Sequence, residues 1–111
     1  MTMGFRVEIT VEGLGMSAQV VEERFDSIAN ALYECQGIAD QDLSADTSKA
    51  RYTFTFDVLD IEDPVKAVEF AVSIVRTALH AAGGATPNWE QGFELIRQSS
   101  ERARQRKKAL V

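Results

Sequence analysis

The sequence has 111 residues, of which 45% are hydrophobic and 26% charged, and its net charge is −5. This length suits one compact domain with a single core. The one cysteine, Cys35, excludes an internal disulfide and any Cys-x-x-Cys metal or redox motif, and favours a cytoplasmic protein. No apolar run approaches the ~20 residues that span a bilayer, and residues 1–10 have a strand pattern instead of a signal peptide, so we expect no membrane partner.

The first half of the chain begins with a strand and continues with a helix. From Phe5 to Val11 apolar and polar residues alternate, which predicts a strand with one buried face. Over 20–37 the apolar residues recur at helical spacing, and Gly37 is placed to end the helix. A weaker strand over 38–46 should pair with the next strand across a turn near Asp46–Lys49. The predicted buried stripe of the helix is Val21, Phe25, Ile28, Leu32 and Cys35.

The second half repeats this pattern. Residues 52–58 alternate as a strand, 67–84 have helical periodicity, and 89–96 form a final weaker strand. The predicted buried stripe of the second helix is Val65, Val68, Val72, Val75 and Leu79.

The ends of the second helix carry clear signals. Asp63 followed by Pro64 is typical of a helix start, because a carboxylate caps the first turn and proline presets its φ angle. Gly83 and Gly84 are placed to close the last turn.

The two halves indicate a duplicated unit. Shifting the sequence by 47 residues superposes the pattern of 5–46 on that of 52–96 without a gap. The order strand, helix, strand, strand, helix, strand resembles the ferredoxin-like (split βαβ) superfold. That resemblance implies an α+β domain over 1–96, with a four-stranded antiparallel sheet and both helices on one face. It is a resemblance of architecture and implies no activity.

A second resemblance lies at the end of the second helix. The stretch ALHAAGGATPNW (78–89) is similar to one in small bacterial proteins to which no role is assigned.

The aromatic strand KARYTFTF (49–56) resembles the third strand of RNA-recognition domains. In that family the rings that stack on bases sit at the third and fifth positions, which here are Arg51 and Thr53. Alternation places Tyr52, Phe54 and Phe56 on the inward face, so we expect them in the core. The outward face is polar and mostly acidic, and therefore unsuited to nucleic acid: Arg6, Glu8, Thr10, Glu12, Thr53, Thr55 and Asp57.

The loop EGLGMS (12–17) has two interpretations. Small ligand-binding regulatory domains of the ACT type carry a glycine here, and the resemblance makes Gly13 and Gly15 a candidate ligand loop. Two glycines in a short loop also fit an ordinary tight turn, which we favour.

Acidic residues cluster in the predicted strand 38–46. Asp40, Asp42 and Asp46 could contact a hard cation, but a Ca²⁺ loop with its distal glutamate is missing. We favour a charged sheet edge that resists aggregation, and predict no metal site and no cofactor.

His80 is the one histidine, near the carboxyl end of the second helix. A cation there interacts favourably with the helix dipole. Because neither a nucleophile with a base nor a second histidine is evident nearby in the sequence, we favour this structural role and predict no catalytic residue.

The second helix is apolar beyond its predicted stripe. Phe70 and Ile74 lie one turn apart off that stripe, where the first helix has Glu23 and Ser27. Surplus apolar area predicts a partner surface, most simply in a twofold homodimer. The alternative is that this helix lies centrally under the C-terminal tail.

The C-terminal segment 97–111 has six basic residues and one acidic residue, which leaves the first 96 residues with a net charge of −10. We expect this tail to be disordered or a frayed helix. It could bind an acidic protein, and nucleic acid is disfavoured by the acidic body. The candidate contacts are Arg102, Arg104, Arg106, Lys107 and Lys108.

The leading hypothesis is a small non-catalytic interaction or assembly module, in homodimeric form. The alternatives are an ACT-like domain that binds a small ligand, a nucleic-acid-associated protein that uses its basic tail, and a small enzyme that uses His80.

Overall fold

A computed structural model of the chain describes residues 4–83 and 92–102, with side chains described through residue 99. The elements follow the predicted order of strand, helix, strand, strand, helix, strand. They are β1 (Gly4–Gly13), α1 (Ala18–Glu34), β2 (Ile38–Asp46), β3 (Arg51–Leu59), α2 (Pro64–Gly83) and β4 (Phe93–Arg102). Within the described residues, neither helix is both long and apolar enough to cross a bilayer.

The four strands form one sheet in the order β2-β3-β1-β4, and each neighbouring pair is antiparallel. The predicted α+β class with a four-stranded antiparallel sheet and two helices is confirmed, and this arrangement is compatible with the ferredoxin-like superfold. The predicted turn is also confirmed, since the Lys49 amide donates to the Asp46 carbonyl at 3.2 Å.

The strict alternation in β1 and β3 divides the sheet into a buried and an open face, as predicted. The paired strands put their apolar residues beneath the helices, and Tyr52, Phe54 and Phe56 are each 0% exposed. These three rings are therefore core side chains, and base stacking by them is excluded. The other inward residues are Phe5, Val7, Ile9, Val11 and Val58.

The Tyr52 hydroxyl joins the sheet to α1. It donates a hydrogen bond to the Val21 carbonyl oxygen at 2.6 Å in the buried layer. Burial raises the pKa of Tyr52 to about 12, against a smaller opposing effect of Arg24. The buried phenol thus stays neutral and remains a hydrogen-bond donor.

The first helix follows its predicted stripe. Ser17 caps its amino end by accepting from the Val20 amide at 3.3 Å. Val21, Ile28 and Leu32 are buried, while Phe25 and Cys35 pack against the core at its margin. Gly37 has φ +84°, a left-handed conformation that suits the chain reversal after the helix.

The second helix begins as predicted, but its predicted buried stripe is confirmed only at Val75 and Leu79. The Asp63 carboxylate accepts from the Val65 amide at 2.9 Å, which confirms the cap. The face turned to the core is instead rotated by roughly a quarter turn and is rich in alanine. Its buried residues are Ala67, Ala71, Ile74, Val75, Ala78, Leu79, Ala82 and Gly83.

The rotation has a packing reason. α2 lies against α1 and the sheet at the same time, and the methyl side chains of alanine allow close approach on both sides. Val65 remains 66% exposed, and Val68 and Val72 are only partly buried. These three valines thus lie on the flank of α2, while Ile74, Val75 and Leu79 are buried beside the alanines.

The last strand differs from its predicted bounds. β4 begins at Phe93 instead of residue 89 and continues to Arg102, beyond the predicted end at 96. The first residues of the predicted tail therefore belong to the sheet, and residues 103–111 lie outside the described residues. The division at residue 96 otherwise stays a prediction.

Replacing the buried phenol tests the link between sheet and α1. We expect Tyr52→Phe to lower the free energy of unfolding by about 1 kcal/mol, because the hydrogen bond to the Val21 carbonyl is lost. Tyr33→Phe is the matched control, since Tyr33 is 60% exposed. Urea unfolding of both variants measures the difference, and equal stabilities would contradict the buried hydrogen bond.

Enlarging the alanine face tests the observed rotation of α2. Ala78 is 0% exposed, so Ala78→Leu should lower the free energy of unfolding by about 1–3 kcal/mol through overpacking. Ala81→Leu, on the exposed side of the same turn, should change it by less than about 0.5 kcal/mol. Thermal unfolding compares the two variants; a larger loss from Ala81→Leu would mean that the helix faces the other way.

Candidate functional site

The apolar surface that stands out lies where the flank of α2 meets β4. We call it the β4 margin and define it as Val72, Leu95 and Ile96. Leu95 is 47% exposed and Ile96 40%, although β-strands usually bury side chains of this size. The margin therefore presents apolar area at the edge of the sheet.

A recess opens at this margin and reaches the core. It has a volume of about 120 Å³, with Ile9 and Val11 of β1 at its floor. The walls come from α2 and β4: Val72, Val75, Arg76, Leu79, Phe93 and Leu95. The Phe93 ring lies 5.9 Å from the Tyr52 ring, so the recess adjoins the aromatic core.

The recess exists because two helices do not cover four strands. Leu95 is paired with Val11 and stands at an inward register position, yet it is nearly half exposed. Farther along the inner face of β4, Gln98 is paired with Ile9 and is also exposed. The inner face of β4 thus changes from apolar to polar as it leaves the cover of α2.

The predicted partner surface at Phe70 and Ile74 needs correction. Ile74 is only 7% exposed and belongs to the core, while Phe70 is half-buried and packs against it. A side chain at Gly37 would begin 3.1 Å from the Phe70 ring, which shows that Phe70 covers the loop after α1. Ile74 is thus covered inside the chain and Phe70 is covered in part, so little of the surplus apolar area at these two positions faces solvent.

The candidate ligand loop has the geometry of a tight turn. A Cβ at Gly13 would lie within contact distance of the Met16 side chain, and the Gly13 amide donates to the Ala50 carbonyl at 2.7 Å. Gly15 has φ +69°, which a residue with a side chain adopts only with strain. The φ angle explains Gly15 and the packing of Met16 explains Gly13, and ligand binding by this loop stays a prediction.

The open face of the sheet carries the predicted polar residues. Arg6 forms an ion pair with Asp57 at 3.2 Å, and Arg51 with Glu12 at 2.9 Å. The Thr10 and Thr53 hydroxyls lie 3.0 Å apart. This face is tied together by its own hydrogen bonds and ion pairs, which suits a solvated surface.

The basic tail starts at the edge of the sheet. Arg102 is the last residue of β4 and is paired with Phe5. The other candidate contacts, Arg104, Arg106, Lys107 and Lys108, lie outside the described residues, so binding of an acidic protein or of nucleic acid by the tail stays a prediction.

The acidic residues of β2 are not gathered into a site. Asp40 has φ +52° at an irregularity between Ala39 and Asp42, and its carbonyl accepts from the Arg6 guanidinium at 3.2 Å. Asp46 caps the β2–β3 turn, and the Ser48 hydroxyl is the main cause that lowers the pKa of its carboxyl. Among the described residues, no group of three or more His, Cys, Asp or Glu side chains could hold a metal ion.

His80 is exposed on the last turn of α2. This is the position at which a protonated imidazole complements the partial negative charge of a helix end. Gly84, Pro87 and Trp89, which follow it in the sequence, lie outside the described residues.

A groove between the carboxyl ends of the two helices contains the one thiol. It is lined by Ala31, Glu34, Cys35, Thr77 and Ala81. The Cys35 thiol donates to the Ala31 carbonyl at 3.4 Å. Burial, and secondly the negative charge of Glu34, raise the pKa of this thiol, so it is protonated and a poor nucleophile at neutral pH.

Comparisons with known proteins find no family model that matches the chain and no curated protein of significant sequence similarity.

Sequence reasoning missed the β4 margin. The sequence pattern places Leu95 and Ile96 in a strand. Neighbouring residues of a regular strand point to opposite faces, so two adjacent apolar residues cannot both face the core. In the structure, a register shift in the β1–β4 pairing occurs at these residues. The adjacency of the two side chains was the available signal that one of them faces water.

Alkylation of Cys35 tests the chemistry of the groove. Because the thiol pKa is raised, the rate with iodoacetamide at neutral pH should be lower in the folded protein than in the urea-unfolded protein. The rate should rise with pH and reach its plateau at a higher pH in the folded state. Faster alkylation of the folded protein at neutral pH would instead identify an activated thiol.

Proposed function

We propose that this protein is a small interaction module that functions as a homodimer, with the β4 margin as its contact surface. The observation that carries the proposal is the exposure of Leu95 and Ile96 on an edge strand, beside a recess that opens into the core. Apolar area of this kind is stabilised by a covering partner. A twofold dimer covers the same surface on both copies at once.

The proposed fold assignment supports this function. We infer that the domain is a ferredoxin-like split βαβ unit, since both helices pack on one face of a sheet in which β4 is an outer strand. An outer strand exposes backbone donors and acceptors that another strand can pair with. The ten residues of β4 span roughly 33 Å, long enough for such pairing.

The chemistry described so far favours an interaction module over an enzyme. The thiol is protonated, and the described acidic side chains do not form a metal-binding group. A cytoplasmic location is part of the proposal and rests on Cys35, a free thiol in the structure. The partner of the basic tail is left open.

Light scattering coupled to size-exclusion chromatography tests the proposal on the full chain. We expect the wild type to have the mass of a dimer, and Leu95→Lys and Ile96→Lys to shift it toward the monomer, because each places a charge in the apolar contact. Tyr33→Lys is the matched control: it places the same charge at a 60% exposed ring on α1 and should leave the dimer intact.

Two outcomes would overturn the proposal. A wild type that is monomeric at all accessible concentrations removes the dimer altogether. A protein that stays dimeric in Leu95→Lys and in Ile96→Lys but becomes monomeric in Tyr33→Lys would have its contact on α1. Circular dichroism spectra of the variants establish that each change in mass occurs in a folded protein.

A further inference from the structure

The second half of β4 has a regular free edge. After the irregularity near Ile96, residues 97–102 are paired one by one with β1, from Thr10 to Phe5. Among the described residues β1 is the one strand paired with β4, and the opposite edge of β4 is paired with no described strand. This inference rests on the proposed function, in which a second copy adds its own β4 to this edge. The register of the two β4 strands is the feature to be determined.

Symmetry restricts the answer. A twofold axis perpendicular to the sheet makes the two β4 strands antiparallel and keeps their open faces on the same side. Positions on the open face of one copy must then stand opposite open-face positions of the other. In the regular part of β4 these positions are 97, 99 and 101, which are paired with Thr10, Glu8 and Arg6 of β1.

The charges select one register. Centring the axis on Arg97 places two arginines opposite each other, and centring it on Glu101 does the same with two glutamates. Centring it on Gln98 places Arg97 opposite Ser99 and Glu101 opposite Leu95, and centring it on Ser100 places Glu101 opposite Ser99, so neither register pairs opposite charges. Centring it on Ser99 places Arg97 of each copy opposite Glu101 of the other, which is the favourable cross-strand combination.

We propose that two copies pair through β4 in this register, with Ser99 on the twofold axis and Arg97 opposite Glu101 on both sides of it. The two sheets then form one continuous eight-stranded sheet. In this arrangement the register position next to Arg6, which forms an ion pair with Asp57, is position 101, and position 97 of the second copy stands opposite it. Ile96, at the start of the regular stretch, comes opposite Arg102.

Charge reversal tests the register. Arg97→Glu and Glu101→Arg each replace two attractive cross-strand pairs with two repulsive ones, so each should raise the dimer Kd by about tenfold or more. The combined variant R97E/E101R restores opposite charges and should return the Kd close to that of the wild type. Lys49→Glu and Glu22→Arg make the same changes in net charge at exposed positions outside β4 and should leave the Kd unchanged. Sedimentation equilibrium of the full chain measures these constants.

Disulfide trapping tests the position of the axis independently of charge. In a Cys35→Ala background, Ser99→Cys places two thiols directly opposite each other, at the ~5 Å Cα separation that a disulfide spans. Arg97→Cys in the same background puts the two thiols roughly 13 Å apart along the strands. Under mild oxidation Ser99→Cys should therefore form a covalent dimer much faster than Arg97→Cys.

The outcomes separate this register from the dimer itself. A wild-type dimer whose Kd is unchanged by the single reversals, or is not restored by the double reversal, overturns the register and leaves the proposed function standing. Faster trapping of Arg97→Cys than of Ser99→Cys also overturns the register. A monomeric wild type overturns both proposals.

Discussion

The constraint on which the structure depends is the need to cover one face of the two central strands. The inward residues of β1 and β3 include four aromatic rings, and the three on β3 are fully excluded from water. Burying a side chain of this size contributes about 1.5–3 kcal/mol, so this face supplies a large part of the driving force for folding. Both helices are positioned by it, and Tyr52 fixes α1 by a hydrogen bond from the floor of the core.

Covering this face with two helices determines where the fold remains open. The alanine-rich face of α2 lets that helix lie close to α1, and the Arg24 guanidinium of α1 donates to the Ala82 carbonyl near the end of α2 at 3.2 Å. The two helices are thus held together over the central strands. The consequence is that Val72 lies on the flank of α2, next to a strand that is only partly covered. The exposed β4 margin and its recess follow from this packing.

The parts of the fold that could be predicted from sequence are those with a strict period. Alternation in β1 and β3 predicts which residues are inward, and Asp63 and Pro64 stand where a helix start requires them. The face of α2 that is turned to the core could not be predicted in the same way. Apolar residues cover more than half of the circumference of this helix, and valine is more hydrophobic than alanine on any scale. The packing of α2 against α1 and the sheet decides which face is buried, and this packing is a property of the tertiary structure. The bounds of β4 were missed because its apolar pattern stops at Ile96 while its pairing with β1 continues through polar residues.

The two edges of the sheet differ in ways that matter for assembly. β2 is irregular between Ala39 and Asp42, carries acidic residues at positions 40, 42 and 46, and has a backbone carbonyl engaged by Arg6. Irregularity and like charge are the features by which natural edge strands avoid pairing with another copy. β4 places its irregularity at one end, near Ile96, and then continues for six residues with both signs of charge. If both edges were protected in the same way against pairing with another copy, β4 would carry charges of one sign, as β2 does. The unequal protection is the reason to locate self-association at β4, where the apolar margin and the regular edge coincide.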